Sequence, residues 1–213
     1  MMQTEILSVG QAHALEQAIE LLRQGQVIAL PTDTVYGVAA DGLNPAAIER
    51  LYVVKDRPRD KAIPLLLASA GELSQVAVQV PAAARLLAEK FWPGALTLVV
   101  HAQANVPPVL RAEGDTVAVR EPDHPIPRDL ARLLGRPLAA TSANISGGRD
   151  PSTAQEVEAQ LNGRLALILD GGRVGGGVPS TVIDVSVDPP RVLRQGALAV
   201  DEIERVLGFK LAR

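Results

Sequence analysis

At 213 residues the chain is long enough to bury a full hydrophobic core and short for two complete domains, so a single domain over 1-213 is expected. Hydrophobic residues make up 47% but aromatics only 2%, which requires a core of Ala, Val, Leu and Ile and leaves too few rings for a base-stacking platform. The net charge of −3 argues against a protein that holds a polyanion by its overall field, and the lack of cysteine excludes disulfides, thiol nucleophiles and thiolate metal sites.

The first residues lack a basic segment followed by an apolar run, and no stretch reaches the roughly 18 apolar residues of a membrane span, so a soluble, cytoplasmic protein is expected. Leu15, Ile19 and Leu22 recur at helical spacing within Ala12 to Arg23, and Gly25 marks the stop. Val27 to Leu30 then reads as a short buried strand ended by Pro31. Asn44 and Pro45 suit the N-cap and first turn of a helix whose stripe of Ile48, Leu51 and Tyr52 runs up to Lys55. Ile63 to Ala68 reads as a strand, Pro81 to Phe91 as a helix, Ala95 to Val100 and Thr116 to Arg120 as strands, and Asp129 to Leu134 as a helix closed by Gly135. The strand PLAAT, a helix near Thr153 to Leu161 and the strand LALIL follow. The end reads as a strand pair, STVIDV and RVLRQG, covered by a helix from Asp201 to Leu207. Such alternation predicts an α/β sheet with helices against it.

Four polar clusters flank these strands: PTDT after Leu30, KDRPRDK before Ile63, TSAN after Ala140, and RQG after Leu193. Ligands of α/β sheets bind preferentially at strand ends. The basic run sets Lys55, Arg57, Arg59 and Lys61 at every second position. Extended backbone would aim all four one way as a phosphate claw; the plainer reading is a solvated loop balanced by Asp56 and Asp60. Thr32, Asp33 and Thr34 have a plain reading too, as turn formers. TSANISGGRDPST either leads into a well-capped helix, with Ser152 or Thr153 opposite Gln155 or Glu156, or offers that helix N-terminus to an anion. GGRVGGGVPST has five glycines between Gly171 and Gly177 but neither GxGxxG nor a GK[ST] ending, so it reads as a flexible connection that could also close over a ligand. His13, His101 and His124 lack paired spacing and no GxSxG elbow occurs, so neither a protein-only metal site nor a serine nucleophile is expected. Cations, hydroxyls, amides and backbone donors remain, a set suited to phosphoryl or nucleotidyl transfer by positioning and charge stabilisation.

The strings PTDTVYGVAADG, KDRPRDKAIPLLLAS, FWPGALTLVV, TVAVREPDHP, TSANISG, PSTVIDV and RVLRQGA follow one another from about Val27 to Ala197. In them the chain resembles the YrdC-type threonylcarbamoyl-AMP synthases, in the short form without an extra C-terminal domain. The resemblance implies an open, twisted mixed α/β sheet flanked by helices around a large concave, positively charged cavity. It implies the conversion of L-threonine, bicarbonate and ATP into threonylcarbamoyl-AMP and pyrophosphate, feeding the threonylcarbamoyladenosine modification of tRNA through a downstream transferase machinery. Its characteristic residues fall on Lys55, Arg57, Ser142 and Asn144; its threonine contacts on Thr34, Arg120, Ser142 and Ser180; its ATP contacts on Arg57, Lys61, Thr116, Asn144, Ser152 and Arg194.

By residue type, Arg120 would grip the threonine carboxylate with a bidentate fork, and Lys55, Arg57 and Lys61 would neutralise phosphate charge. Mg²⁺ is expected to enter with ATP, held mainly by phosphate oxygens. Two positions depart from the family pattern: Ala62 stands where many relatives have proline, and an aliphatic residue near Leu66 replaces a histidine that some relatives use to hold substrate. The alternative reading is an RNA- or tRNA-binding module that uses the same basic cavity without catalysis. The threonine-sized polar set Thr34, Ser142 and Ser180 favours the enzyme, and a net charge of −3 allows only weak tRNA contact.

Overall fold

The N-terminal third shows why these residues take these shapes. The structure, a computed structural model, describes residues 3–175 and 178–212. After strand β1 (Glu5–Ser8), helix α1 (Ala14–Arg23) buries Ala14, Ala18, Ile19 and Leu22 on one stripe and ends before Gly25, whose φ of 70° glycine adopts without strain. Strands β2 (Ile28–Leu30) and β3 (Gly37–Asp41) pair antiparallel. Helix α2 (Pro45–Lys55) starts as its sequence requires, with the Asn44 side chain accepting from the amides of Ala46 and Ala47.

The remaining elements are β4 (Leu65–Leu66), α3 (Leu73–Val76), α4 (Ala82–Phe91), β5 (Leu96–His101), β6 (Thr116–Arg120), α5 (Pro125–Leu134), β7 (Leu138–Ser142), α6 (Ala154–Leu161), β8 (Leu167–Asp170), β9 (Thr181–Asp184), β10 (Arg191–Arg194) and α7 (Val200–Leu207). The strands form one mixed ten-stranded sheet in the order β1-β8-β2-β3-β7-β4-β6-β5-β9-β10. No helix among the described residues is long and apolar enough to cross a membrane.

Alternation along the strands divides the core between two faces. Ala29, Val38, Leu65, Leu98, Val119 and Ile183 point to one face, which is covered by α2, α4, α6 and α7. Ile28, Leu30, Ala39, Leu66 and Ala140 point to the other, which α1 and α5 cover with Leu22, Ile126 and Leu130. These two helices pack on each other and, on the sheet, mainly on β2, β3, β4, β7 and β8. Beyond that packing, Ala118, Arg120, Thr97 and Val182 on the second face of β6, β5 and β9 line a hollow.

The expected α/β sheet and most of its elements are present, with informative differences. Strands β1 and β3 were not foreseen: β3 is GVAAD, buried at all five positions, and its small residues carry little strand signal. The strand expected over Ile63 to Ala68 shrinks to Leu65–Leu66, because Pro64 has no amide to give a ladder and Ile63 donates to Leu110 instead. Helix α5 begins at Pro125, four residues before the expected start, capped by the His124 ring.

Candidate active site

The polar clusters that flank β2, β4, β7 and β10 converge on this hollow, a cavity of about 380 Å³. Thr34, Arg57, Arg120, Ser142, Ser180 and Arg194, all singled out from sequence, line it together. Thr97 and Asp150 line it as well and were missed: Thr97 lies within a strand among apolar residues, and Asp150 within a glycine-containing loop.

At one end, Arg120 is 6% exposed and heavily engaged. Its Nε donates to the Gly94 carbonyl at 2.7 Å, its guanidinium forms a tight ion pair with Asp33, and one terminal nitrogen lies 3.4 Å from Thr34 Oγ1. Burial pushes the Arg120 guanidinium below its ordinary pKa, while Asp33 pushes it back up. The expected open fork is therefore partly occupied: an incoming carboxylate meets an arginine already half-neutralised by Asp33, a partner 87 residues away. Thr32 matches its plain reading, with Oγ1 accepting from the amides of Thr34 and Val35, and this turn holds Thr34 towards Arg120.

The claw does not form. Lys55 is the last residue of α2 and is 1% exposed, and Asp56 caps the helix with a left-handed φ of 51°, so the alternation breaks at once. Lys55 Nζ donates to the Ser142 carbonyl, the Asn144 carbonyl at 2.7 Å and Asn144 Oδ1 at 2.9 Å. Burial, with help from the Arg57 charge, pushes the Lys55 ammonium down to about 8. Arg57 reaches the cavity with its own loop bracing it, through the carbonyls of Lys61 (3.1 Å) and Ala62 (2.8 Å). Arg59 turns away to pair with Glu49 over the Tyr52 ring, and Lys61 is exposed outside the cavity wall. Of the four cations, Arg57 alone lines the hollow.

Lys55, Ser142 and Asn144 form a knot beneath the wall. Ser142 Oγ donates to Asn144 Oδ1 at 2.6 Å and Asn144 Nδ2 donates to the Gly148 carbonyl at 2.6 Å, fixing the loop after β7. Further along, the Thr153 side chain accepts from the Glu156 amide and Glu156 accepts from the Ser152 amide, so the capped-helix reading accounts for these donors. Asn144 and Ser152 stand behind the wall. Thr116 lies two residues before Ala118 on the same face of β6 and is outside the lining of the hollow.

Opposite, Ser180 and Thr97 share a hydrogen bond of 2.7 Å between hydroxyls, and Arg194 donates to the Ser180 carbonyl at 2.9 Å. A Cβ on Gly196 would overlap the Pro179 carbonyl and the Ser180 backbone, so glycine is what lets the turn after β10 lie on β9 and present Arg194. The start of the glycine-rich segment is held rather than loose. Tyr36 donates to the Gly172 carbonyl at 2.6 Å and accepts from the Gly171 amide, and the Val174 amide donates to the Ser152 carbonyl. Burial pushes the Tyr36 hydroxyl up to about 12, so it stays a donor. Gly176 and Gly177 of that segment lie outside the described residues.

The chain as a whole is similar to known proteins. The Sua5/YciO/YrdC family model, described as Telomere recombination, matches residues 20–196. Threonylcarbamoyl-AMP synthase of Pyrococcus abyssi is 44% identical over 191 residues, 90% of this chain and 56% of that protein, so the chain spans little more than half of that relative's length. Threonylcarbamoyl-AMP synthase of Vibrio cholerae is 39% identical over 184 residues, 85% of this chain and 97% of its own length. The crystal structure of P. abyssi Sua5 complexed with L-threonine superposes with a TM-score of 0.92 at 39% identity, covering 100% of this chain and 62% of the other. With a family match over most of its length and relatives of this similarity, the chain belongs to the Sua5/YciO/YrdC family.

Proposed function

We propose that this protein forms threonylcarbamoyl-AMP and pyrophosphate from L-threonine, bicarbonate and ATP, in the cytoplasm, for the threonylcarbamoyladenosine modification of tRNA. The observation that carries the reading is the convergence of an amino-acid-sized polar set, Thr34, Arg120 and Ser180, with phosphate-suited cations, Arg57 and Arg194, on one hollow. Relatives named for this activity, one of them solved with L-threonine, support it.

In this reading Arg120 and Thr34 orient the amino acid by its carboxylate, Ser142 and Ser180 contact its polar groups, and Arg57 and Arg194 stabilise charge as pyrophosphate departs. The threonine amine adds to CO₂ derived from bicarbonate, and a carbamate oxygen then attacks the α-phosphate in line, with no protein nucleophile. Lys55 and Asn144 act by holding the loop that carries Ser142. Lys61, Thr116 and Ser152, at or outside the margin, complete the ATP contacts. Magnesium fits this donor set as an ion resting mainly on phosphate oxygens, with Asp150 the one carboxylate on the lining. It would supply charge neutralisation to the phosphates. The product would pass to a downstream tRNA transferase.

Pyrophosphate release, measured with threonine and bicarbonate omitted in turn, tests the assignment. Release that requires both supports it; release indifferent to both defeats it.

A further inference from the structure

Twenty residues line the cavity, and Asp150 is the one acid among them, against three arginines, Arg57, Arg120 and Arg194. Among the described residues Asp150 has neither a hydrogen bond nor an ion pair. Asp33, beside the wall residues Thr32 and Thr34, is tied to Arg120 through Oδ2, and its Oδ1 is buried without a hydrogen bond. Asp150 lies on the loop after β7 that Asn144 fixes through Lys55 Nζ and the Gly148 carbonyl, Arg57 follows Lys55 by two residues, and both Arg57 and Asp150 line the hollow and act on the Lys55 charge. Asp150 therefore belongs to the end assigned to phosphates rather than to the amino-acid carboxylate.

Its backbone is held in place. The Pro151 carbonyl accepts from the Tyr36 amide at 2.9 Å, the Ser152 amide donates to Glu156 at 2.6 Å, and the Ser152 carbonyl accepts from Val174. A fixed, unpaired carboxylate beside a polyphosphate is repulsive by itself. A divalent cation between the two reverses the sign, and magnesium is commonly held by one or two carboxylates together with substrate phosphates.

We propose that Asp150 is the protein's own ligand to the divalent cation that accompanies the nucleoside triphosphate. The inference rests on the nucleotide reading given above. It assigns the metal a fixed place on the wall after β7, so the cation bridges protein and phosphate instead of riding on the phosphates alone.

The test is equilibrium binding of a non-hydrolysable β,γ-imido ATP analogue to the full chain, with saturating Mg²⁺ and with EDTA, for wild type, Asp150→Asn and Asp150→Glu. Wild type is expected to bind at least about tenfold more tightly with Mg²⁺, and Asp150→Asn to lose that gain to within about twofold. Asp150→Asn is also expected to bind the metal-free analogue about threefold more tightly than wild type, because a repulsion has been removed. Asp150→Glu should keep part of the Mg²⁺ gain. Mn²⁺ bound in the presence of the analogue, read by electron paramagnetic resonance, should fall in Asp150→Asn at equal nucleotide occupancy. If Asp150→Asn retains the full Mg²⁺ gain, or raises only the KM for threonine, the inference is overturned while the nucleotide reading stands. If wild type does not bind the analogue under either condition, the nucleotide reading itself falls and takes the inference with it.

Discussion

The two ends of the cavity are built on different principles. At the Arg120 end the cation is buried, paired with Asp33, anchored to Gly94 and aimed at Thr34, so its geometry exists before any ligand arrives. At the Arg57 end the cation lies on a partly exposed loop and is braced by the backbone carbonyls of that same loop, with no acidic partner within ion-pair distance among the described residues. Preorganisation suits a small substrate that must be told from its neighbours, since fixed donors lose little entropy on binding. An open, screened charge suits a flexible polyphosphate, which needs neutralisation more than shape.

Replacing Arg120 attacks the preorganised end and should do the most damage. Arg120→Ala leaves Asp33, with a side chain 14% exposed, without its partner, at a cost of about 3 kcal/mol in urea unfolding, and should lower kcat/KM for threonine at least about hundredfold. Stability unchanged within experimental error would mean the ion pair is not what holds that end together.

The knot below the wall comes next. Lys55 in the folded protein has a pKa of about 8, below the 10.5 of an ordinary lysine. Between those values the unfolded chain binds the proton and the folded chain does not. The Lys55 contribution to stability therefore rises as pH climbs from about 8 to 10.5, by roughly 3 kcal/mol at most. Over the same range activity should fall, as a neutral amine has two hydrogens for three acceptors. Urea midpoints measured against pH should show a smaller rise for Lys55→Met than for wild type; parallel curves would contradict the assignment.

At the open end, Arg57→Ala should reduce turnover at least about tenfold, roughly 1.4 kcal/mol of transition-state stabilisation, with the unfolding midpoint unchanged. A near-normal rate would make the open end irrelevant to chemistry. Arg59→Ala sharpens the contrast from below. Its pair with Glu49 is exposed on both sides, so stability should change by less than about 1 kcal/mol and turnover by less than about twofold.

Convergence was legible in the sequence because four polar clusters sat at strand ends, and strand ends in such sheets meet. The orientation of the basic run was not. Alternation in sequence becomes alternation in space only on an extended chain, and Lys55 still belongs to α2 while Asp56 turns left-handed. Asp33 could not be identified as the Arg120 partner either, because local pattern carries no information about a contact 87 residues apart. Strand β3 was hidden for a different reason: Gly37, Ala39 and Ala40 are buried but small, and small residues weaken the period-two signal.

The half-covered second face has a consequence of its own. Helices α1 and α5 pack mainly on β2, β3, β4, β7 and β8, so a molecule resting on Ala118, Thr97 and Val182 stands where a third helix would extend the layer. Filling the hollow then finishes the architecture and shields its apolar floor from water. Occupancy and resistance to unfolding are tied together by that geometry, whichever substrate arrives first.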